Sequence, residues 1–341
     1  MGADLDQDEA KVLKFVDDSK AFQAVSNEDD VEKLQISLDK LYKWQVNNNV
    51  AFNSSKFQLL RIGPNKELKQ DTLLFTNDMK EALAPADNVR DLGIQMDSEV
   101  NFNVQRSLAI NKTKRKMNWV LRTFRSREPY VMLTLWKTLI RPHLDYCSQL
   151  WAPSNLPGPL KEQEEPLRCF TKRIKGCWQM SYWERLRHLN LNSTQRRVER
   201  YRAIYMWKIH MGLVPNFGVD FISSNSRLGT YVSLPPYKGT YLRYKTLKEN
   251  SMAVEGAKIF NGLPMDLRNY IGPKDKFKDY LDMYLTNIPD TPNGYGELTP
   301  WPVDEYSRPS NKIRDWTRLL RIQDWKLPAG ALIEDDDNEK R

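Results

Sequence analysis

From about residue 101 onward the apolar residues recur every three or four positions in successive stripes, and this periodicity limits the fold more than any other feature. Met117, Val120, Leu121 and Phe124 form one stripe, and Met132, Leu135, Trp136, Leu139 and Ile140 form the next, ended or bent by Pro142. Leu167, Phe170 and Ile174 predict a third helix, and Val198, Tyr201, Ile204 and Tyr205 a fourth. A helix with one apolar face must bury it against a neighbour, so helix-on-helix packing is expected through this region.

Upstream the period is two. Residues 11–25 read as strand, tight turn, strand: Val12, Leu13, Phe15 and Val16 precede an acidic pair, and Ala21, Phe22 and Val25 follow it. Asn27 is an N-cap candidate, with Glu28, Asp29 and Asp30 favouring the positive end of a helix that carries Val31, Leu34, Leu38, Leu41 and Tyr42 on one face. A second strand pair is predicted over VAFNSSKFQLLRIG, turning at Gly63-Pro64-Asn65 and returning from Thr72 to Phe75. VRDLGIQMD reads as one further strand alternating Leu92, Ile94 and Met96. Gly, Pro and Ser between Pro215 and Tyr244 predict a long irregular connection, and a helix returns around Phe277, Tyr280, Leu281 and Tyr284. Past Ile288, PDTPNGYGELTPWP reads as extended loop and EDDDNEKR as a solvated tail.

The expected class is therefore α+β, mainly α. A small antiparallel sheet occupies 1–100, a basic helical region 101–212, a loop-rich extension with a few helices 213–330, and an acidic tail 331–341. With 341 residues, 40% of them hydrophobic, the chain can bury more than one core and is not of disordered composition. Cys147, Cys169 and Cys177 are too few for a disulfide scaffold and fit a reducing compartment; seven residues separate the last two, unlike the short spacing of zinc knuckles. The opening MGADLDQDEA is acidic where a signal peptide is cationic, and no apolar run approaches the ~20 residues of a membrane span, so an intracellular protein, nuclear or cytoplasmic, with no membrane partner is expected.

Net charge is +8, and its distribution says more than its sum. Arg106, Lys112, Lys114, Arg115, Lys116, Arg122, Arg125 and Arg127 follow one another with no acid among them. Arg168 to Lys208 carries eleven more basic residues, Lys172, Arg173, Arg196 and Arg197 included, against two glutamates. A solvated helix face ordinarily mixes signs, so these segments are candidates for a phosphate-binding surface, the alternative being a basic face that binds nothing. Trp and Tyr on the helical stripes read as core.

The acidic pair is Asp17-Asp18. Adjacent carboxylates at a strand end are either a solvated turn or a cation site, and the residues alone leave both open. In order along the chain, however, FVDDSKAF with Phe15, Val16, Asp17 and Asp18, then Trp44, Asn53 and Lys56, resembles motifs C and D of reverse transcriptases of non-LTR, LINE or jockey-like, retrotransposons. VRDLGIQMDSEVNF, LRTFRSREPYVMLTLWKTLIRPHLDYCSQLWAPS, the segment from TKRIKGCWQM to MGLVPN, and IFNGLPMDLRN are similar to parts of these elements downstream of the catalytic core, so the resemblance covers roughly residues 11–300.

The resemblance implies a palm remnant over 1–100, a thumb-like helical region and a C-terminal extension, with an RNA template and a DNA primer as partners. It implies two-metal nucleotidyl transfer, in which two Mg2+ about 3.5–4 Å apart activate the primer hydroxyl and neutralise the leaving pyrophosphate. Asp17 would be the main metal ligand, Asp18 its neighbour, and Lys56 the group that approaches the triphosphate. Motifs A and B precede motif C in the family, yet fourteen residues stand ahead of Phe15 here; Asp4, Asp6 and Asp8 lie there without a strand pattern, and Asp97 is expected to cap a turn. One hairpin's carboxylates would hold Mg2+ weakly, so little or no polymerase activity is expected unless another chain supplies palm and fingers. Pro166 falls where the family continues a helix, either inside it or at its first turn.

Overall fold

The structure, a computed structural model, describes residues 11–15, 18–49, 52–53, 56–63, 74–76, 81–153, 157–223, 229–234, 242–290, 313, 317 and 324–328. It is mainly α with small antiparallel two-stranded sheets, and it divides into two compact units, Met1–Val104 and Gln105–Arg341. Among the described residues no helix is long and apolar enough to cross a membrane.

In the first unit β1 (Lys11–Phe15) and β2 (Asp18–Phe22) pair antiparallel, from Lys11 opposite Phe22 to Phe15 opposite Asp18, which is the expected hairpin. The helix α1 (Glu28–Asn47) starts where predicted: the Asn27 side chain accepts from the Asp30 amide at 3.0 Å, and three acids fill the first turn. Its apolar face is only half-buried, and Tyr42 stacks on Phe57 with ring centroids 5.8 Å apart.

Two strand assignments are corrected. The described residues among 52–63 form no paired strand: Leu59 makes an isolated parallel bridge to Pro85, and the Lys56 amide donates to the Asn53 carbonyl at 3.0 Å. β3 (Leu74–Thr76) pairs instead with β4 (Glu81–Leu83), a nearer partner whose loop is cheaper to close. Pro64, Asn65 and Thr72 lie outside the described residues. VRDLGIQMD is a hairpin, β5 (Asn88–Asp91) against β6 (Ile94–Asp97), because Leu92 and Gly93 take φ of +44° and +85° and reverse the chain in two residues. Leu92 is consequently exposed at the tip while Ile94 is buried.

The second unit begins with α2 (Asn103–Thr123). After it come α3 (Pro129–Leu135), one π-helical turn (Trp136–Ile140) and α4 (Pro142–Asp145). Pro142 thus opens a new helix, and the wide turn before it, closed by Arg141 N–H to Trp136 C=O at 2.9 Å, absorbs its missing donor. Then come α5 (Ser148–Trp151), α6 (Pro157–Thr171), α7 (Tyr182–His188) and α8 (Thr194–His210). Pro166 takes the interior of α6. One apolar core joins α2, α3, α4, α6 and α7 through Met117, Val120, Ile140, Leu167, Phe170 and Trp183.

A second core gathers α8 with the segment beyond it: the hairpin β7 (Asp220–Ile222) with β8 (Tyr231–Ser233), α10 (Met252–Asn261), α11 (Met265–Arg268) and α12 (Lys274–Thr286), α9 (Leu242–Glu249) preceding α10. At its centre Trp207 stacks on Phe277 at 4.5 Å and donates its indole N–H to the Tyr270 carbonyl at 2.9 Å. The region past Pro215, expected to be mostly irregular up to Tyr244, therefore contributes a short hairpin, and the helices between 242 and 268 are among the few expected without positions in 213–330.

Candidate nucleic-acid interface

The helix α2 separates its basic residues from its buried stripe. Ile110, Thr113, Met117 and Val120 face the core, and the Thr113 hydroxyl donates to the Ala109 carbonyl at 2.7 Å. Lys112, Lys114 and Arg115 are exposed, Lys116 is half-buried, and Arg122 and Arg125 are exposed further along. Lys112 and Lys116 share one side with His143; burial first, then those two charges, hold the imidazole below its ordinary pKa. Lys116 stands 4.8 Å over the ring of Trp119, which is 43% exposed. Lys114 lies on the other side, where it and Arg173 both bear on Cys169; burial and Glu165 raise that thiol's pKa, and the two cations oppose them.

Arg127 closes the end of α2. Its guanidinium donates to the carbonyls of Leu121 at 2.8 Å, Phe124 at 2.5 Å and Ser126 at 3.0 Å, collecting acceptors that the last turn leaves free. Its own carbonyl accepts from the Lys175 amide at 2.9 Å, and the Lys175 ammonium meets Glu128 at 2.6 Å. These bonds bring the stretch after α2 against the loop between α6 and α7, where Lys172, Arg173 and Lys175 are exposed. The loop is pinned. Ile174 and Cys177 are buried beneath it, Cys177 N–H donates to Ile174 at 3.1 Å, Met180 N–H to Cys177 at 3.2 Å, and Arg185 reaches the Met180 carbonyl at 2.7 Å. Gly176, at φ +81°, makes the turn that other residues adopt with strain.

Three nominated cations are corrected. Arg106 is 9% exposed in α2, its pKa lowered by burial and supported by Glu162. Arg196 is 1% exposed and donates to the carbonyls of Pro289 at 2.9 Å and Ile288 at 3.5 Å, with Asp290 at 3.9 Å. Arg197 pairs with Asp145 and donates to Tyr201 at 2.7 Å. Arg106 and Arg196 are buried away from a phosphate, and half-buried Arg197 is engaged by Asp145.

Sequence reasoning passed over Lys175, Trp178 and Tyr130. The signal for the first two was a Gly in KRIKGCW, which marks a turn presenting its flanks. It also missed α7, although SYWE spells a capping box: Ser181 N–H donates to Glu184 at 2.8 Å and Glu184 N–H to the Ser181 hydroxyl at 3.4 Å.

In the first unit Asp18 is exposed at the start of β2, and Asp17 lies outside the described residues. Lys20, two positions on and so on the same strand face, pairs with Asp91 of β5. Lys56 is exposed. Asp97 is buried and accepts from the amides of Glu99 at 3.0 Å, Asn101 at 3.1 Å and Phe102 at 3.0 Å, the turn cap expected of it. Among the described residues no three His, Cys, Asp or Glu side chains converge as a metal site. Asp18 supplies at most two of the oxygen ligands a Mg2+ takes.

No protein-family model, no curated protein and no solved structure matches the chain.

Proposed function

We propose that this chain is the C-terminal part of a reverse transcriptase of the non-LTR retrotransposon type, and that its second unit holds the phosphate backbones of an RNA template and a DNA primer. The support from sequence is the ordered set Phe15, Asp17, Asp18, Trp44, Asn53 and Lys56. The observation that carries the binding role is the bond from Lys175 to Arg127: it joins the stretch with exposed Arg125 to the loop that exposes Lys172 and Arg173, two basic stretches distant in sequence, and Lys114 and Arg173 both bear on Cys169. Phosphate contacts of this kind supply affinity without reading sequence.

A second reading, a nucleic-acid-binding protein derived from such an element and without catalysis, is favoured by one observation. Among the described residues Asp18 belongs to no group of three or more His, Cys, Asp or Glu side chains that could hold a metal ion. Polymerisation would then need palm and fingers segments from another chain, with Mg2+ bound there.

The test is fluorescence anisotropy with a labelled RNA–DNA hybrid. Six phosphate contacts predict an affinity roughly a thousandfold lower at 200 mM than at 50 mM salt; affinity independent of salt would overturn the binding role. Primer extension with Mg2+ and nucleotides should show no product from this chain alone, and extension abolished by Asp17→Ala would overturn the non-catalytic reading.

A further inference from the structure

Two large aromatic rings stand out of the cationic surface just described. Trp178 is 66% exposed and Tyr130 83% exposed. Isolated exposed aromatics are ordinary, and by themselves they would mean nothing. These two differ in their setting. Trp178 sits three residues after Lys175 and Tyr130 three residues after Arg127, so the main-chain bond from Lys175 N–H to the Arg127 carbonyl at 2.9 Å brings both residues to the same part of the surface. Neither is on a loose segment: Tyr130 lies in the first turn of α3, and Trp178 directly follows Cys177, which is fully buried. Lys172 and Arg173, in the same loop as Trp178, and Arg125, five residues before Tyr130, are exposed cations.

We infer that Trp178 and Tyr130 are stacking platforms for unpaired bases, so that this surface prefers single-stranded nucleic acid to duplex. Cations along a backbone track and rigid rings between them are what an unpaired strand can use, because every base offers a flat face whatever its identity. A duplex keeps its bases stacked on one another and can use the cations alone. The rings are therefore positioned for binding a strand, with discrimination by strandedness and none by sequence. This inference rests on the phosphate-binding role proposed above for the same surface.

The experiment uses the whole chain and 5′-fluorescein-labelled 20-mers, as single-stranded RNA, single-stranded DNA and blunt DNA duplex of one sequence, at fixed salt. Wild type should bind both single strands at least tenfold tighter than duplex. Trp178→Ala should weaken single-strand binding about tenfold, about 1.4 kcal/mol, and leave duplex affinity unchanged. Trp178→Phe, which keeps a ring and guards against a folding defect, should retain most of the preference. Tyr130→Ala should act in the same direction. Equal affinity of wild type for strand and duplex, or loss of both in parallel in Trp178→Ala with Trp178→Phe normal, would overturn the stacking role while leaving the cationic surface standing. Absence of binding to all three probes would remove the surface and the platforms together.

Discussion

The Lys175 ammonium and the Glu128 carboxylate, 47 residues apart in the chain, meet at 2.6 Å on the exposed face of the second unit. Glu128 is thereby an acid set within a cationic surface, and its carboxylate occupies the ammonium that a phosphate would otherwise contact. Both groups are solvent-exposed, where an ion pair contributes little to stability. Glu128→Gln should leave the melting midpoint unchanged and tighten nucleic-acid binding, with a salt slope steeper by about 0.9 for the phosphate contact Lys175 gains. Measurement of Kd over a salt series decides it; an unchanged slope means Lys175 takes no part.

Exposed and buried cations should behave in opposite ways. Lys172→Gln with Arg173→Gln should lower the salt slope by about 1.8 and leave the urea midpoint alone. Arg196→Met should do the reverse. That guanidinium is buried and donates to the Pro289 and Ile288 carbonyls, so its loss leaves those acceptors without their donor and should cost about 1–3 kcal/mol in unfolding free energy. Affinity per folded molecule should be unaltered in Arg196→Met. If it falls while stability holds, Arg196 belongs to the binding surface after all.

The contrast shows what was legible in the sequence. Period placed α1, α2 and α8, because one apolar face per helix leaves a 3.6-residue trace, and Asn27 marked the start of α1; the stripe from Leu167 to Ile174 caught only the end of α6, which runs Pro157–Thr171. The charge runs located the basic surface in outline. They did not distinguish Lys172 from Arg196, because both stand among like charges and only packing decides that α8 is buried nearly all round between two cores. The tie from Lys175 to Arg127 is a main-chain bond between distant loops, and no side-chain pattern encodes it. The VRDLGIQMD hairpin was legible and was misread: Leu-Gly supplied the two positive φ values of a reversal, and the alternation of Leu92, Ile94 and Met96 masked it.

Asp97 supports the first unit in a way that can be isolated. Its carboxylate accepts three amide donors from residues 99–102, a stretch in which Val100 and Phe102 hold φ of +53° and +55°. Asp97→Ala leaves the buried Phe102 amide without its acceptor, worth about 1–3 kcal/mol, frees two partly buried amides, and should melt the β5–β6 region first. Hydrogen exchange at Phe102 should accelerate strongly in Asp97→Ala and less in Asp97→Asn, which keeps one acceptor oxygen. Equal protection in wild type and Asp97→Ala would show that the turn stands without its cap.

Glu164 makes the second unit sensitive to pH. It is buried in α6, accepts from the Tyr182 hydroxyl of α7, and accepts from the amides of Thr194 at 3.0 Å and Gln195 at 3.4 Å at the start of α8, so one carboxyl ties three helices. Burial, helped by Asp290 nearby, pushes its pKa up to about 7 against the pull of those three donors. The folded state thus retains a proton that the unfolded chain, with an ordinary glutamate near 4.5, has released. Stability from this group is greatest below about 4.5 and falls as pH rises toward 7, by about 3 kcal/mol in all. Glu164→Gln cannot ionise, so its unfolding free energy in urea should lose that fall between pH 5 and pH 8, while other groups cancel in the comparison with wild type. Tyr182→Phe removes a donor to the ionised form and should push the fall to higher pH. Identical pH profiles for wild type and Glu164→Gln would mean that the three donors outweigh burial and keep the carboxylate ionised throughout.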